Sequence, residues 1–210
     1  MRIKVCGMKY PDNIKELATN RLPIDYMGII FYDKSPRFAK GLNLSDLNTL
    51  PDYIKRVGVF VNAETDYIMH MIESYDLDLL QLHGNETVEF CKRMNTTRPV
   101  IKAFSIASPT DFEQTKEYED ACDYFLFDTK TEQYGGSGKK FDWNILNNYN
   151  GNIPFYLSGG ISAEDVDIIR AINHSQFCGV DLNSKFEIHP GLKDIELLNQ
   201  FIKALRYEQN

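Results

Sequence analysis

"RIKVCGMKYPDNIKELA", residues 2–18, climbs through a β-branched apolar run, stops at a thiol, turns at a glycine and resumes behind a proline with helix-like spacing. A strand that ends, a short loop and a returning helix produce that order of residues. The unit recurs along the chain. Comparable runs are YMGIIF (26–31), RVGVFV (56–61), LLQLH (79–83), VIKAFS (100–105), YFLFD (124–128), IPFYLS (153–158) and FCGVD (177–181), eight with the first. Between and after them lie segments with polar starts and helical apolar spacing, at 11–20, 45–50, 64–74, 86–94, 110–118, 142–147, 162–172 and 194–206. Asn62 before AETDYIMHMI and Ser162 before AEDVDIIRAI carry cap signals.

These runs are too continuously apolar for strands with one wet face, so they predict parallel strands with crossover helices. Eight such units closing on themselves make an α/β protein of the (β/α)₈ type, a TIM barrel. At 210 residues the chain sits near the lower end of the range for such barrels, roughly 200 to 400 residues, so residues 1–210 are expected to form a single domain with short loops. The alternative is an open doubly wound sheet, which usually carries a glycine fingerprint after its first strand; CGMKYPDN offers one glycine only.

A chain that is 43% hydrophobic and 12% aromatic has ample material for a core. Its 23 Lys and Arg stand against 30 Asp and Glu, giving a net charge of −7, and the cations are scattered. That balance argues against nucleic acid or an anionic membrane surface as a partner. A negatively charged ligand must then be held locally. No apolar stretch approaches eighteen residues, and Met-Arg-Ile-Lys leads directly into a strand, so a soluble, cytoplasmic protein is expected. The four cysteines, 6, 91, 122 and 178, form no C-x-x-C, which favours neither a disulfide framework nor a zinc site.

In a barrel of this kind the chemistry sits where the strands end. Those ends hold Cys6, then Arg37 in SPR, Asn62, Gln81 and His83, Ser105, Asp128, Ser158-Gly159-Gly160, and Asp181-Leu182-Asn183-Ser184. A lone cysteine usually packs as a small hydrophobe, the reading kept for Cys91, Cys122 and Cys178. Cys6, beside a glycine turn at the mouth, is placed to serve as nucleophile or base. Asp128 closes an apolar run, where desolvation favours a general acid, although a helix cap or a pair with Lys130 or Lys139 is the plainer alternative.

GGSG (135–138) suits a phosphate cradle or a flexible loop, whereas SGG (158–160) before a helix start, together with DLNSKFEIHPG, stands where barrels hold phosphate. Arg37 follows a rigidifying proline, and its fork suits a carboxylate or plain solvent. The histidines show no metal-ligand spacing. The apolar residues of DYIMHMIESY are expected to form the buried stripe of a helix.

Taken in order, KVCGM, GIIFYDKSPR, VGVFVN, LLQLHGNE, FDTKTEQYGGSGKKFDW, YLSGGI and GVDLNSKFE followed by PGLKD resemble the phosphoribosylanthranilate isomerase family, from residue 3 to about residue 194. The resemblance implies an Amadori rearrangement in tryptophan biosynthesis, turning N-(5-phosphoribosyl)anthranilate into 1-(2-carboxyphenylamino)-1-deoxyribulose 5-phosphate without metal or cofactor. It implies Asp128 as general acid and Cys6 as general base. It further implies Arg37 at the anthranilate carboxylate, Gln81 and His83 lining the pocket, Asp181 at the end of the eighth strand orienting substrate or catalytic groups, and Gly159, Gly160, Asn183 and Ser184 at the phosphate. The implied partner is this small phosphosugar-anthranilate substrate, with no nucleic acid and no membrane, and a monomer or homodimer is expected.

The chain departs from the family pattern after Asn183-Ser184, where Gly-Val-Glu is usual and Lys185-Phe186-Glu187 stands here, a bulky cation in place of a glycine. Rival phosphate-binding barrels fit less well. A pentose phosphate epimerase wants metal ligands and paired carboxylates, and an indole glycerol phosphate synthase wants a catalytic lysine and a longer N-terminal extension. A silent phosphosugar binder would need neither Cys6 nor Asp128.

Overall fold

All eight apolar runs become neighbouring strands of one closed parallel sheet in the computed structural model, which describes residues 1–129 and 142–206. The strands are β1 (Arg2–Cys6), β2 (Tyr26–Ile30), β3 (Lys55–Phe60), β4 (Leu79–Leu82), β5 (Val100–Ile106), β6 (Tyr124–Thr129), β7 (Phe155–Leu157) and β8 (Phe177–Leu182). Each pairs with its sequence neighbour, and β8 closes back onto β1 with Lys4 opposite Asp181. Closure removes both edges and leaves every central strand covered on both faces, which is why the runs carry so little polar alternation.

The side-chain period of two divides each strand between two cores. Outward residues such as Ile3, Val5, Met27, Ile29, Leu80 and Leu82 pack under the helices. Inward ones, among them Tyr26, Val57, Leu79, Ile101, Leu126 and Tyr156, fill the barrel's lower interior. Higher up, Cys6, Ile30 and Val59 form a smaller apolar cluster near the strand ends. Apolar filling therefore stops below the mouth, and polar side chains take over.

The helices are α1 (Pro11–Thr19), α2 (Leu44–Leu47), α3 (Thr65–Tyr75), α4 (Val88–Asn95), α5 (Val166–Arg170) and α6 (Ile195–Arg206). In α3 the buried stripe is Ile68, Met71 and Ile72, the spacing expected of DYIMHMIESY. Two expected helices differ: Pro109–Tyr118 and Trp143–Asn148 are 3₁₀ segments. The first has little sidedness to hold a full α-turn against the barrel, burying only Phe112 and Thr115; the second spans six residues, half of them asparagine.

The cap expected of Asn62 is also different. Glu64 precedes α3, while Asn62 sits at φ 48° and its Oδ1 accepts the backbone N–H of Asn85 at 2.7 Å, tying the loop after β3 to the loop after β4. Ser162 behaves as expected, since its N–H and hydroxyl both donate to Asp165 at the start of the segment leading into α5.

After β8 the chain makes a 3₁₀ turn, Ser184–Phe186, and then a two-stranded antiparallel ribbon, β9 (Glu187–His189) with β10 (Leu192–Lys193), before α6. Phe186 is fully buried, its ring 4.9 Å from that of Phe201 in α6. This anchor fixes the loop. Lys185 stands exposed beside it and is absent from the positions of positive φ, so a non-glycine residue fits without strain.

Candidate active site

β1 directs Arg2, Lys4 and Cys6 inward by simple alternation. Lys4 is fully buried and donates to Asp181 Oδ1 at 2.8 Å, with Asp181 5% exposed. Cys6, 3% exposed, lies above them. Gly28 on β2 makes this possible: a Cβ there would come within 2.7 Å of Cys6 Sγ and 3.1 Å of Lys4 Nζ.

Burial pushes the Cys6 thiol above its ordinary value, with the Lys4 charge opposing. Burial also raises the Asp181 carboxyl, against the pull of Lys4, while Asp128 adds repulsion and His83 attraction. For Lys4 burial works downward, but Asp181 and then Cys6 outweigh it and raise the ammonium. Lys4 therefore stays charged.

Asp128 lies near the end of β6, facing inward in register with Ser105 of β5. Its Oδ1 accepts the N–H of Thr129 at 2.8 Å, and its Oδ2 is 3.5 Å from His83 Nε2. The Gln81 amide nitrogen lies 2.8 Å from His83 Nδ1, which ties the His83 ring to β4. Gln81 Oε1 is buried with no hydrogen-bond partner among the described residues. Gly159, at φ 89°, lets the loop after β7 approach closely, since a Cβ there would meet Asp128 Oδ1 at 2.7 Å and Thr129 N at 2.6 Å. Gly160 follows at φ 68°.

Lys130, Lys139 and GGSG (135–138) lie outside the described residues.

Arg37 does not stand free. Its Nε donates to both Glu187 carboxylate oxygens at 2.8 and 3.0 Å and its Nη2 to Oε2 at 2.6 Å, a bidentate fork that leaves Nη1 outside it. Lys193 Nζ donates to the same Glu187 at 2.8 Å and to Asn183 Oδ1 at 2.7 Å. The Asn13 side chain clamps the Lys193 backbone from both sides, accepting its N–H at 2.8 Å and donating to its C=O at 3.0 Å. A Cβ on Gly7 would lie 2.8 Å from Arg37 Cδ and 3.2 Å from Asn183 Oδ1, which brings this network against the loop after Cys6.

Glu187 feels burial upward, yet the Arg37 hydrogen bonds and Lys193 hold its carboxyl below the ordinary range. Two buried cations thus share one carboxylate. Burial, only partly offset by Glu187, lowers Lys193 from 10.5 to about 8.

The folded value lies below the ordinary one, so between about pH 8 and 10.5 the unfolded chain holds a proton on Lys193 that the native chain lacks. Lys193 alone therefore makes the fold more stable as pH rises through that window. Its grip on Asn183 and Glu187 moves the other way. Affinity for an anionic ligand at this end of the site is expected to fall as pH rises past about 8, and Lys193→Met is expected to remove that limb of the pH–affinity profile. A profile unchanged by the substitution would exclude the role.

The family model for N-(5'-phosphoribosyl)anthranilate (PRA) isomerase matches residues 3–204. The chain belongs to the phosphoribosylanthranilate isomerase family. An N-(5'-phosphoribosyl)anthranilate isomerase of Parabacteroides distasonis is 51% identical over 208 residues, 98% of this chain and 93% of the relative. The phosphoribosyl anthranilate isomerase crystal structure from Thermus thermophilus superposes with TM-score 0.84 at 27% identity, covering 98% of each chain. Another family structure, in complex with reduced 1-(o-carboxyphenylamino)-1-deoxyribulose 5-phosphate, matches with TM-score 0.81 at 31% identity, again over 98% of each chain.

The expected site residues of this isomerase lie near the C-terminal ends of strands or in the loops that follow them, on the same face, but three neighbours were missed: Lys4, Glu187 and Lys193. Lys4 was legible, because a residue two before an inward Cys6 must also point inward. Glu187 and Lys193 had no comparable signal. Their placement depends on how the ribbon after β8 folds back.

Proposed function

We propose that this chain isomerises N-(5'-phosphoribosyl)anthranilate by an Amadori rearrangement, with Asp128 as general acid and Cys6 as general base. The observation carrying the proposal is that both side chains face inward at the same end of one barrel, on β6 and β1, with Asp181 near enough to interact with Asp128 and with the Lys4 beside Cys6.

Asp128 protonates the furanose ring oxygen, the bond from that oxygen to C1′ breaks, and the anilino nitrogen lone pair forms the iminium. The ring oxygen leaves as the 4′ hydroxyl. The iminium acidifies the adjacent C2′–H. Cys6 thiolate takes that proton, and the C–H electron pair becomes the enolamine double bond. Gain of a proton at C1′ and loss of one from the 2′ hydroxyl complete the ketone. A positioned acid or base each contributes about 10²- to 10⁴-fold, so both are needed for a useful rate.

The substrate brings a phosphate and a carboxylate into a chain of net charge −7. Arg37 and Lys193 against the single Glu187 give this side of the site a local positive excess, and Arg37 Nη1 is the donor left for the anthranilate carboxylate. The left-handed Gly159-Gly160 turn and the backbone at Asn183-Ser184 are the phosphate donors in this reading. Gln81 Oε1 is a buried acceptor for a sugar hydroxyl, and His83 holds Asp128.

The enzyme works as a monomer or homodimer in the cytoplasm on this small molecule. Among the described residues no helix is long and apolar enough to cross a membrane. Loss of anthranilate-like fluorescence on adding purified protein to the substrate is the expected result. Saturable binding with no turnover would instead identify a silent phosphosugar binder.

A further inference from the structure

We infer that Lys4 is a positioning residue for catalysis: its ammonium is the counter-ion that lets Cys6 exist as a thiolate, and Asp181 competes with the sulfur for it. This rests on Cys6 acting as the base and extends that reading to a residue that sits behind the sulfur rather than against the substrate.

The geometry is confined. Lys4 and Cys6 project inward from alternate positions of β1, and Nζ and Sγ crowd the same small volume beside Gly28. Nζ is 2.8 Å from Asp181 Oδ1, with side-chain exposures of 0% and 5%. Ile30 and Val59 complete the wall around Cys6 without a charge. Lys193, from β10, is the other cation acting on the sulfur, but Glu187 and Asn183 hold it, with Arg37 repelling it. Behind Asp181 stand Asp128 and His83.

A thiolate formed in such surroundings needs a paired cation, because an isolated buried anion is costly. When the S–H bond breaks, the electron pair stays on sulfur and the proton passes to water. Among the described residues only Lys4 adjoins that new charge without a second anchor beyond Asp181. One ammonium cannot fully serve two anions. With Asp181 ionised, Cys6 therefore rests as a thiol, consistent with the upward push of burial and Asp181 and the opposing pull of Lys4.

The test follows thiolate ultraviolet absorbance against pH in the full chain, each variant measured against its Cys6→Ala counterpart. Lys4→Met is expected to move the Cys6 midpoint upward by about one unit or more, a roughly tenfold loss of thiolate at any pH below both midpoints. Lys4→Arg should restore most of it. Asp181→Asn should move the midpoint down, even while turnover drops. The acid limb of kcat/KM should follow the same shifts in whichever variants retain turnover.

A midpoint that stays put in Lys4→Met, or that moves the same way in Lys4→Met and Asp181→Asn, overturns the inference. Circular dichroism identifies a variant that does not fold, and if Lys4→Met fails there, the direction of the Asp181→Asn shift decides alone. The underlying base reading fails separately, through wild-type turnover in Cys6→Ala, so the two failures are told apart.

Discussion

Asp128→Asn is expected to lower kcat by about 10²- to 10⁴-fold, with KM for the phosphoribosyl substrate changed by far less. Asparagine nearly matches aspartate in shape, and its carbonyl oxygen can still accept the Thr129 N–H that Asp128 Oδ1 accepts at 2.8 Å. The amide nitrogen, however, has no proton acidic enough to give to a departing ring oxygen. The loss therefore falls on the chemical step. Steady-state kinetics, with a thermal melt to show that the fold survives, would measure it. A kcat within a few-fold of wild type would remove Asp128 as the acid and leave its contact with His83 as a structural one.

Cys6→Ser should cost about as much. The serine hydroxyl fits the space above Lys4 but ionises far less readily than a thiol, so abstraction at C2′ loses its base while substrate contacts remain. Because Cys6 belongs to a small apolar cluster with Ile30 and Val59 at the top of the barrel, the exchange should cost little stability. Slow turnover with near-normal substrate affinity is the expected pattern. Full turnover in the serine variant, or equal rates for substrate with and without deuterium at C2′ in both proteins, would argue against proton removal by this side chain as the controlling step.

These two residues were legible before any coordinates because each ends an apolar run, and a strand that ends at a barrel mouth must present its last inward side chain there. Cys6 and Asp128 are such residues, as are Gln81 and Asp181. Arg37 was legible as a fork but not as one committed to Glu187: the two positions are 150 residues apart and meet only because the ribbon after β8 folds across the mouth. Lys185 stands in the linear pattern where a glycine is usual. In the fold Phe186 takes the buried position and leaves Lys185 exposed.

Local and periodic signals of the chain determined the closed eight-stranded architecture and the end of the barrel at which Cys6 and Asp128 stand, since β-period and turn placement act over a few residues and accumulate into one closure. Tertiary structure alone decided the electrostatics. Which cation stands beside the sulfur, and how the Arg37 guanidinium and the Lys193 ammonium share Glu187, depend on side chains brought together from β1, the loop after β2, β8, β9 and β10. Energies of buried charges depend on distances of a few ångströms and on exclusion of water, and neither is written in the spacing of residues along a chain.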